Sequence, residues 1–200
     1  MKRRNLLLAA PSAALLAACE RRSGPAVSAY HGVDITGADY GRDLSLPDAD
    51  GRTRTLADFA GKVTVVFFGY TQCPDVCPTT MAELAQLKRS LGPEGEKLQA
   101  VFVTVDPERD RPELLKAYVA GFDPAFVALR GTPEQTAATA KSFKVFYAKV
   151  PAKDGGSGYT MDHTAASYVF DARGRLRLFE RYGTPPDQLR ADLKRLLDGA

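Results

Sequence analysis

A chain of 200 residues with 27 Lys and Arg against 24 Asp and Glu carries a formal charge of only +3. Three of those bases, Lys2, Arg3 and Arg4, sit in the first four residues, which leaves 24 against 24 in the rest. Nucleic-acid binders need a basic surplus to neutralise phosphates, so that class is excluded.

Lys2 to Arg4 are followed by an apolar run from Leu6 to Leu16 and then by Leu16-Ala17-Ala18-Cys19. This order is that of an export signal: a positive start, an apolar stretch, and small residues before a cleavage point. A spanning helix needs about 20 apolar residues, and Pro11 interrupts this shorter run. By resemblance to bacterial lipoproteins, residues 1–18 are a signal peptide removed before Cys19, which would then be acylated. An ordinary secretory signal with a stray cysteine is the competing reading. Residues 19–40 are polar and Gly-rich and read as a tether, with His31 solvated within it. Export would place the cysteines in an oxidising compartment, where a close pair tends toward a disulfide.

Residues 41–200 suffice for one domain with a sizeable core. Leu44-Ser45-Leu46 and Arg52-Thr53-Arg54-Thr55 predict a short hairpin across Asp48 to Gly51. Val63 to Phe68 predicts a buried strand that ends at Gly69, in a turn carrying Cys73 and Cys77 to a helix start. Pro78 suits the first helical turn, where its missing N–H costs nothing, so Cys77 falls near the N-cap with Cys73 in the loop before it. The positive end of that helix is expected to lower the thiol pKa. The bland alternative is a pair of inert buried cysteines or a structural disulfide. Met81, Leu84, Leu87 and Leu91 continue the helix at core spacing up to Gly92-Pro93. Met81 is accordingly core filler rather than a thioether ligand.

Leu98 to Val105 predicts a second core strand, near-continuously apolar as expected of a strand covered on both faces. The charges after it, Asp106, Glu108, Arg109 and Asp110, read either as a docking surface beside the cysteines or as loop caps and ion pairs. Further along come a helix from Pro112 to Ala120, a strand from Phe126 to Leu129, a helix from Thr132 to Ser142 and a strand from Val145 to Val150. Lys153 to Gly158 predicts a mobile loop leading directly to Tyr159, Asp162 and His163. Asp162 is either a turn residue or an acceptor that orients the His163 ring, and Asp75 is either a docking charge or a loop former. A hairpin of Ala166 to Phe170 and Arg175 to Phe179, then a helix from Pro185 to Leu197, close the chain.

Gly69-Tyr70-Thr71-Gln72-Cys73-Pro74-Asp75-Val76-Cys77-Pro78, with Val105 to Asp110 as a second block and Asp162-His163 downstream, resembles the Sco/SenC family of copper-binding, thioredoxin-like proteins. The resemblance covers about residues 33 to 198. It implies an α/β, thioredoxin-like layered fold, a central mixed β-sheet flanked by helices, and the order of the elements agrees. It also implies that Cys73, Cys77 and His163 ligate copper, with Cys73 and Cys77 a redox thiol pair. Two thiolates suit Cu(I), and an imidazole completes a three-coordinate site that also tolerates Cu(II). Structural zinc generally takes four protein ligands, which this chain does not offer.

The function implied is a metallochaperone more than an enzyme: a lipoprotein held to the membrane by Cys19 and facing the periplasm or cell exterior. It would deliver copper to the copper A centre of cytochrome c oxidase subunit II, with other periplasmic copper chaperones and thioredoxin-like reductants as further partners. The alternative is a thiol-disulfide oxidoreductase that reduces the copper A cysteines before metallation. Peroxidase chemistry is weaker still, because Phe67 and Pro74 stand where a peroxiredoxin pattern would put Pro and Cys relative to Thr71.

Overall fold

In chain order the elements are β1 (Val33–Asp34), β2 (Ser45–Pro47), β3 (Thr53–Thr55), β4 (Val63–Gly69), α1 (Val76–Ser90), β5 (Leu98–Thr104), α2 (Pro112–Ala120), β6 (Val127–Leu129), α3 (Pro133–Ser142), β7 (Tyr147–Pro151), β8 (Tyr159–His163), β9 (Ala166–Phe170), β10 (Leu176–Arg181) and α4 (Pro186–Leu197). They come from a computed structural model, which describes residues 29–151 and 158–200. The signal segment, Cys19 and most of the Lys153 to Gly158 loop lie outside the described residues.

Six strands form one mixed sheet in the order β1-β10-β9-β4-β5-β6. β4, β5 and β6 run parallel, with Phe67 opposite Phe102 and Val103 opposite Leu129. β9 pairs antiparallel with both β4 and β10. Every residue of β4, β5 and β9 is buried, because helices cover both faces. Consecutive side chains on a strand point to opposite faces, so Phe67 and Phe68 divide the core between them. On the Phe67 face, Val65 and Phe67 line one cavity with Leu84 of α1 and Leu189 of α4. On the other face, Phe68 packs 5.1 Å from the Phe143 ring, which stands edge-on to Tyr168. This is the expected layered α/β arrangement.

One expectation needs correction. Residues 33–40, assigned to the tether, belong to the domain: β1 pairs with the edge of β10, and Tyr30, Ile35, Ala38 and Tyr40 pack against the core. Their apolar side chains bury surface that a free tether would leave in water. The residues up to His163, for which the sequence predicts no element, form a strand. Tyr159–His163 pairs antiparallel with β7, His163 opposite Tyr147, in a separate two-stranded sheet.

The domain's first residues are held by a carboxylate of α4 that lies beside a second acidic side chain. Asp192 of α4 accepts hydrogen bonds from the backbone N–H groups of His31 and Gly32 at 2.7 to 3.0 Å. Glu180 of β10 lies so close that a Cβ on Gly32 would sit 2.2 Å from its Oε1. Burial, and then the Asp192 carboxylate, push the Glu180 carboxyl up from 4.5 to about 7. A carboxyl whose pKa rises on folding is a cost above its folded value, and that cost fades as pH falls toward the unfolded value. Glu180→Gln is therefore expected to raise Tm at pH 8 by several degrees and to leave it nearly unchanged at pH 4.5. Equal Tm differences at both pH values would refute this account.

Candidate metal centre

The site forms at the C-terminal end of β4, where a parallel α/β sheet opens to ligands. Tyr70 to Cys73 make a tight turn, closed by a hydrogen bond from the Cys73 N–H to the Tyr70 carbonyl at 3.3 Å. Asp75 is the N-cap of α1, so it is a helix-start residue. Cys77 is the second residue of the helix and Pro78 the third, where a missing N–H leaves no gap in the hydrogen bonding.

Cys77 is fully buried and Cys73 half-buried. The burial of Cys77 is possible because residue 69 is glycine: a Cβ there would stand 2.8 Å from the Cys77 Sγ, 2.9 Å from Phe67 and 3.0 Å from Phe102. The expected drop in thiol pKa does not occur at Cys77. Burial pushes that thiol up, far above the usual range, because desolvation of a thiolate outweighs the helix end. The Cys77 N–H donates a hydrogen bond to Cys73 Sγ at 3.4 Å, which links the two sulfurs across the helix start.

His163, the last residue of β8, enters from the opposite side. Its ring stands edge-on to Phe67 and Tyr70, with centroids 6.0 Å away in both cases. Its Nδ1 lies 3.2 Å from the Thr164 carbonyl, which can only accept, so that nitrogen carries the proton. Nε2 thereby turns its lone pair toward Cys77 Sγ, 3.5 Å away, where it can accept from the thiol. Burial lowers the His163 pKa and keeps the imidazole neutral, the form that ligates metals. Asp162 is exposed, and the ring-orienting acceptor is Thr164, so the sequence alternative that gave Asp162 this role is corrected. Met81 is fully buried in the core, as expected.

Cys73 Sγ, Cys77 Sγ and a ring nitrogen of His163 lie within 4.8 Å of one another. Three donors around one ion, each about 2.0–2.3 Å from it, stand roughly 4 Å apart, so a sub-ångström contraction closes them on a metal. They form the one group of three or more Cys, His, Asp or Glu side chains among the described residues that is arranged to hold an ion. Tyr70, Pro74, Asp75, Val76, Thr160, Asp162 and Ala165 line an open depression over Cys73 and His163, so the site is reachable from outside.

Behind the cysteine loop, buried Asp110 accepts from the Thr71 N–H and hydroxyl and from the Thr104 hydroxyl, the last two at 2.6 Å. Burial raises its pKa, and these three donors oppose the rise. The ambiguous charged cluster therefore acts largely inside the molecule. Sequence reasoning missed Thr71 and Thr104, although a Thr beside each strand end facing an Asp-rich loop is the available signal.

The model of the SCO1/SenC family matches residues 33–198. The chain belongs to the SCO1/SenC family. A SCO2-like protein of Rickettsia felis is 36% identical over 135 residues, 68% of this chain and 66% of that protein. The chain thus spans just under two thirds of that relative's length. The structure of Bradyrhizobium japonicum ScoI with copper bound is 41% identical, with a TM-score of 0.68 over 82% of this chain and 98% of that one. A SCO1/SenC family lipoprotein from Bacillus anthracis is 26% identical, with a TM-score of 0.65 over 82% of this chain and 96% of that one. No helix among the described residues is long and apolar enough to cross a membrane.

Proposed function

We propose that this SCO1/SenC protein is an exported copper chaperone that carries copper on Cys73, Cys77 and His163. It delivers the metal to the copper A site of cytochrome c oxidase subunit II, and Cys19 holds it at the membrane as a lipoprotein. The observation that carries the reading is the approach of a lone-pair nitrogen of neutral His163 to a buried cysteine sulfur, 3.5 Å apart. Dithiol chemistry alone has no need of that imidazole. Copper bound in the related B. japonicum protein supports the choice of metal, and two sulfurs with one imidazole suit Cu(I).

Copper is the cargo here. On loading, the two thiols give up their protons as the sulfurs become donors, and His163 contributes its Nε2 lone pair without a proton change. On delivery, the open depression beside Cys73 and His163 lets a receiving ligand approach while the buried Cys77 sulfur still holds the ion. The second reading, reduction of the partner's cysteines, is favoured by one observation: a half-buried sulfur next to a fully buried one, the asymmetry that separates an attacking from a resolving thiol.

The test is a titration of the reduced and the oxidised protein with Cu(I), followed by addition of apo subunit II. The reduced chain should take one copper with loss of both free thiols and pass it on, whereas the disulfide form should bind at least 100-fold more weakly. Equal retention in both redox states would exclude a dithiolate site. The anchor is tested separately. Cys19→Ser should block lipoprotein processing and shift the protein out of the membrane fraction, and undiminished membrane retention would rule the anchor out.

A further inference from the structure

The two halves of the site stand on different parts of the fold. Cys73 and Cys77 are moored to the six-stranded sheet and α1, whereas His163 ends a strand that belongs to the separate β7–β8 hairpin. The buried Met161 side chain and a hydrogen bond from its backbone to the Tyr70 hydroxyl tie the middle of β8 to the domain. The start of β8 is tied through Tyr159 to Arg109 and Asp106, two members of the charged cluster that the ligand set leaves unused.

Arg109 meets four groups at once. Its Nε is ion-paired with buried Asp106, and its guanidinium carbon lies 3.6 Å from the centre of the Tyr159 ring. Its Nη1 donates to the Tyr159 carbonyl at 2.8 Å and to the Gln72 side-chain oxygen at 3.3 Å. The Tyr159 hydroxyl completes the ring of contacts by donating to Asp106 at 2.8 Å. Gln72 precedes Cys73, and Tyr159 opens the strand that His163 closes, so one guanidinium spans both halves. Only a planar fork of five donors that also stacks on an aromatic face can do this, and a lysine cannot. The neighbouring ion pair of Lys149 with Glu108 is half-exposed and adds little.

We propose that Arg109 is a positioning residue: it fastens β8 to the cysteine loop and so holds His163 Nε2 over Cys77 before the metal arrives. The inference rests on the reading of His163 as a ligand. Its physical basis is preorganisation. A hairpin left to move would have to be ordered at the moment of binding, and that entropy would be subtracted from the affinity.

A double-mutant cycle on the reduced protein tests it, with Cu(I) affinity measured by chelator competition and amide exchange followed along β8. Arg109→Ala should weaken Cu(I) binding about 10–100-fold, the range for residues that orient a ligand, and should speed exchange at Thr160 to His163. In the His163→Ala background the same change should cost nothing further, because its effect passes through His163. Equal losses in both backgrounds, or no loss in either, would overturn the proposal. Wild-type affinity in His163→Ala alone would instead remove the ligand reading, and the inference with it. Should Arg109→Ala fail to fold, Arg109→Lys and Tyr159→Phe carry the same test. Both should lower affinity only while His163 is present, and an effect that survives its removal would count against positioning.

Discussion

His163→Ala is expected to lower Cu(I) affinity by more than 100-fold while Cys73 and Cys77 still form and break their disulfide. The substitution removes the donor whose Nε2 stands 3.5 Å from Cys77 Sγ and touches neither sulfur. It thus exceeds the roughly 10–100-fold loss typical of residues that only orient a ligand. The same variant separates the two functional readings. In cells lacking the native protein, a chaperone without its imidazole fails to restore oxidase activity at limiting copper, whereas a dithiol reductase succeeds. Cys73→Ser and Cys77→Ser fail under both readings and serve as controls for expression and export. Full rescue by His163→Ala at low copper would leave the thiol pair as the working chemistry.

Gly69→Ala is expected to damage fold and site together. The added methyl would stand 2.8 Å from Cys77 Sγ and 2.9 Å from the Phe67 ring, closer than real Cβ atoms come, in a region where every neighbour is buried. Overpacking of that kind costs about 1–3 kcal/mol, a fall of several degrees in Tm for a domain of this size. The displaced atom is a proposed ligand, so copper affinity should fall at least tenfold, and saturating copper should restore less stability than it adds to the wild type. Wild-type Tm with wild-type affinity would show that the cysteine loop can move aside freely, against the close packing seen around it.

The sheet, its helices and the cysteine pair were legible because they obey strong local rules. Val63 to Phe68 and Leu98 to Val105 are apolar runs of strand length, and Pro78 marks a helix start unambiguously. The illegible parts depend on tertiary context. Two residues of β1 carry no periodic signal, although Tyr30, Ile35, Ala38 and Tyr40 were a hint that the tether ends early. In β8 the alternation was present, with Met161 buried between exposed Thr160 and Asp162, but the Gly-rich run before it argued for a loop. The Cys77 thiol failed differently. Its position on the helix was predicted correctly, yet its ionisation is governed by burial in a space that Gly69 leaves open, which no local pattern reports.

The chain enters the domain at the end of the sheet where the site lies. β1 begins opposite Phe179, and Gly32 lies against Glu180, which is paired with Ser167 and hence neighbours Phe67 near the end of β4. The segment that would lead back to a lipid on Cys19 therefore leaves from the same end of the sheet as Cys73, Cys77 and His163. Ala29 lies ten residues beyond Cys19, and a fully stretched segment of that length reaches about 35 Å. If Cys19 is acylated as proposed, the molecule would be leashed from the end of the sheet that bears its cargo, so the sulfurs would stay within reach of the membrane surface. A receiver embedded in the same bilayer could be met there by lateral diffusion in two dimensions.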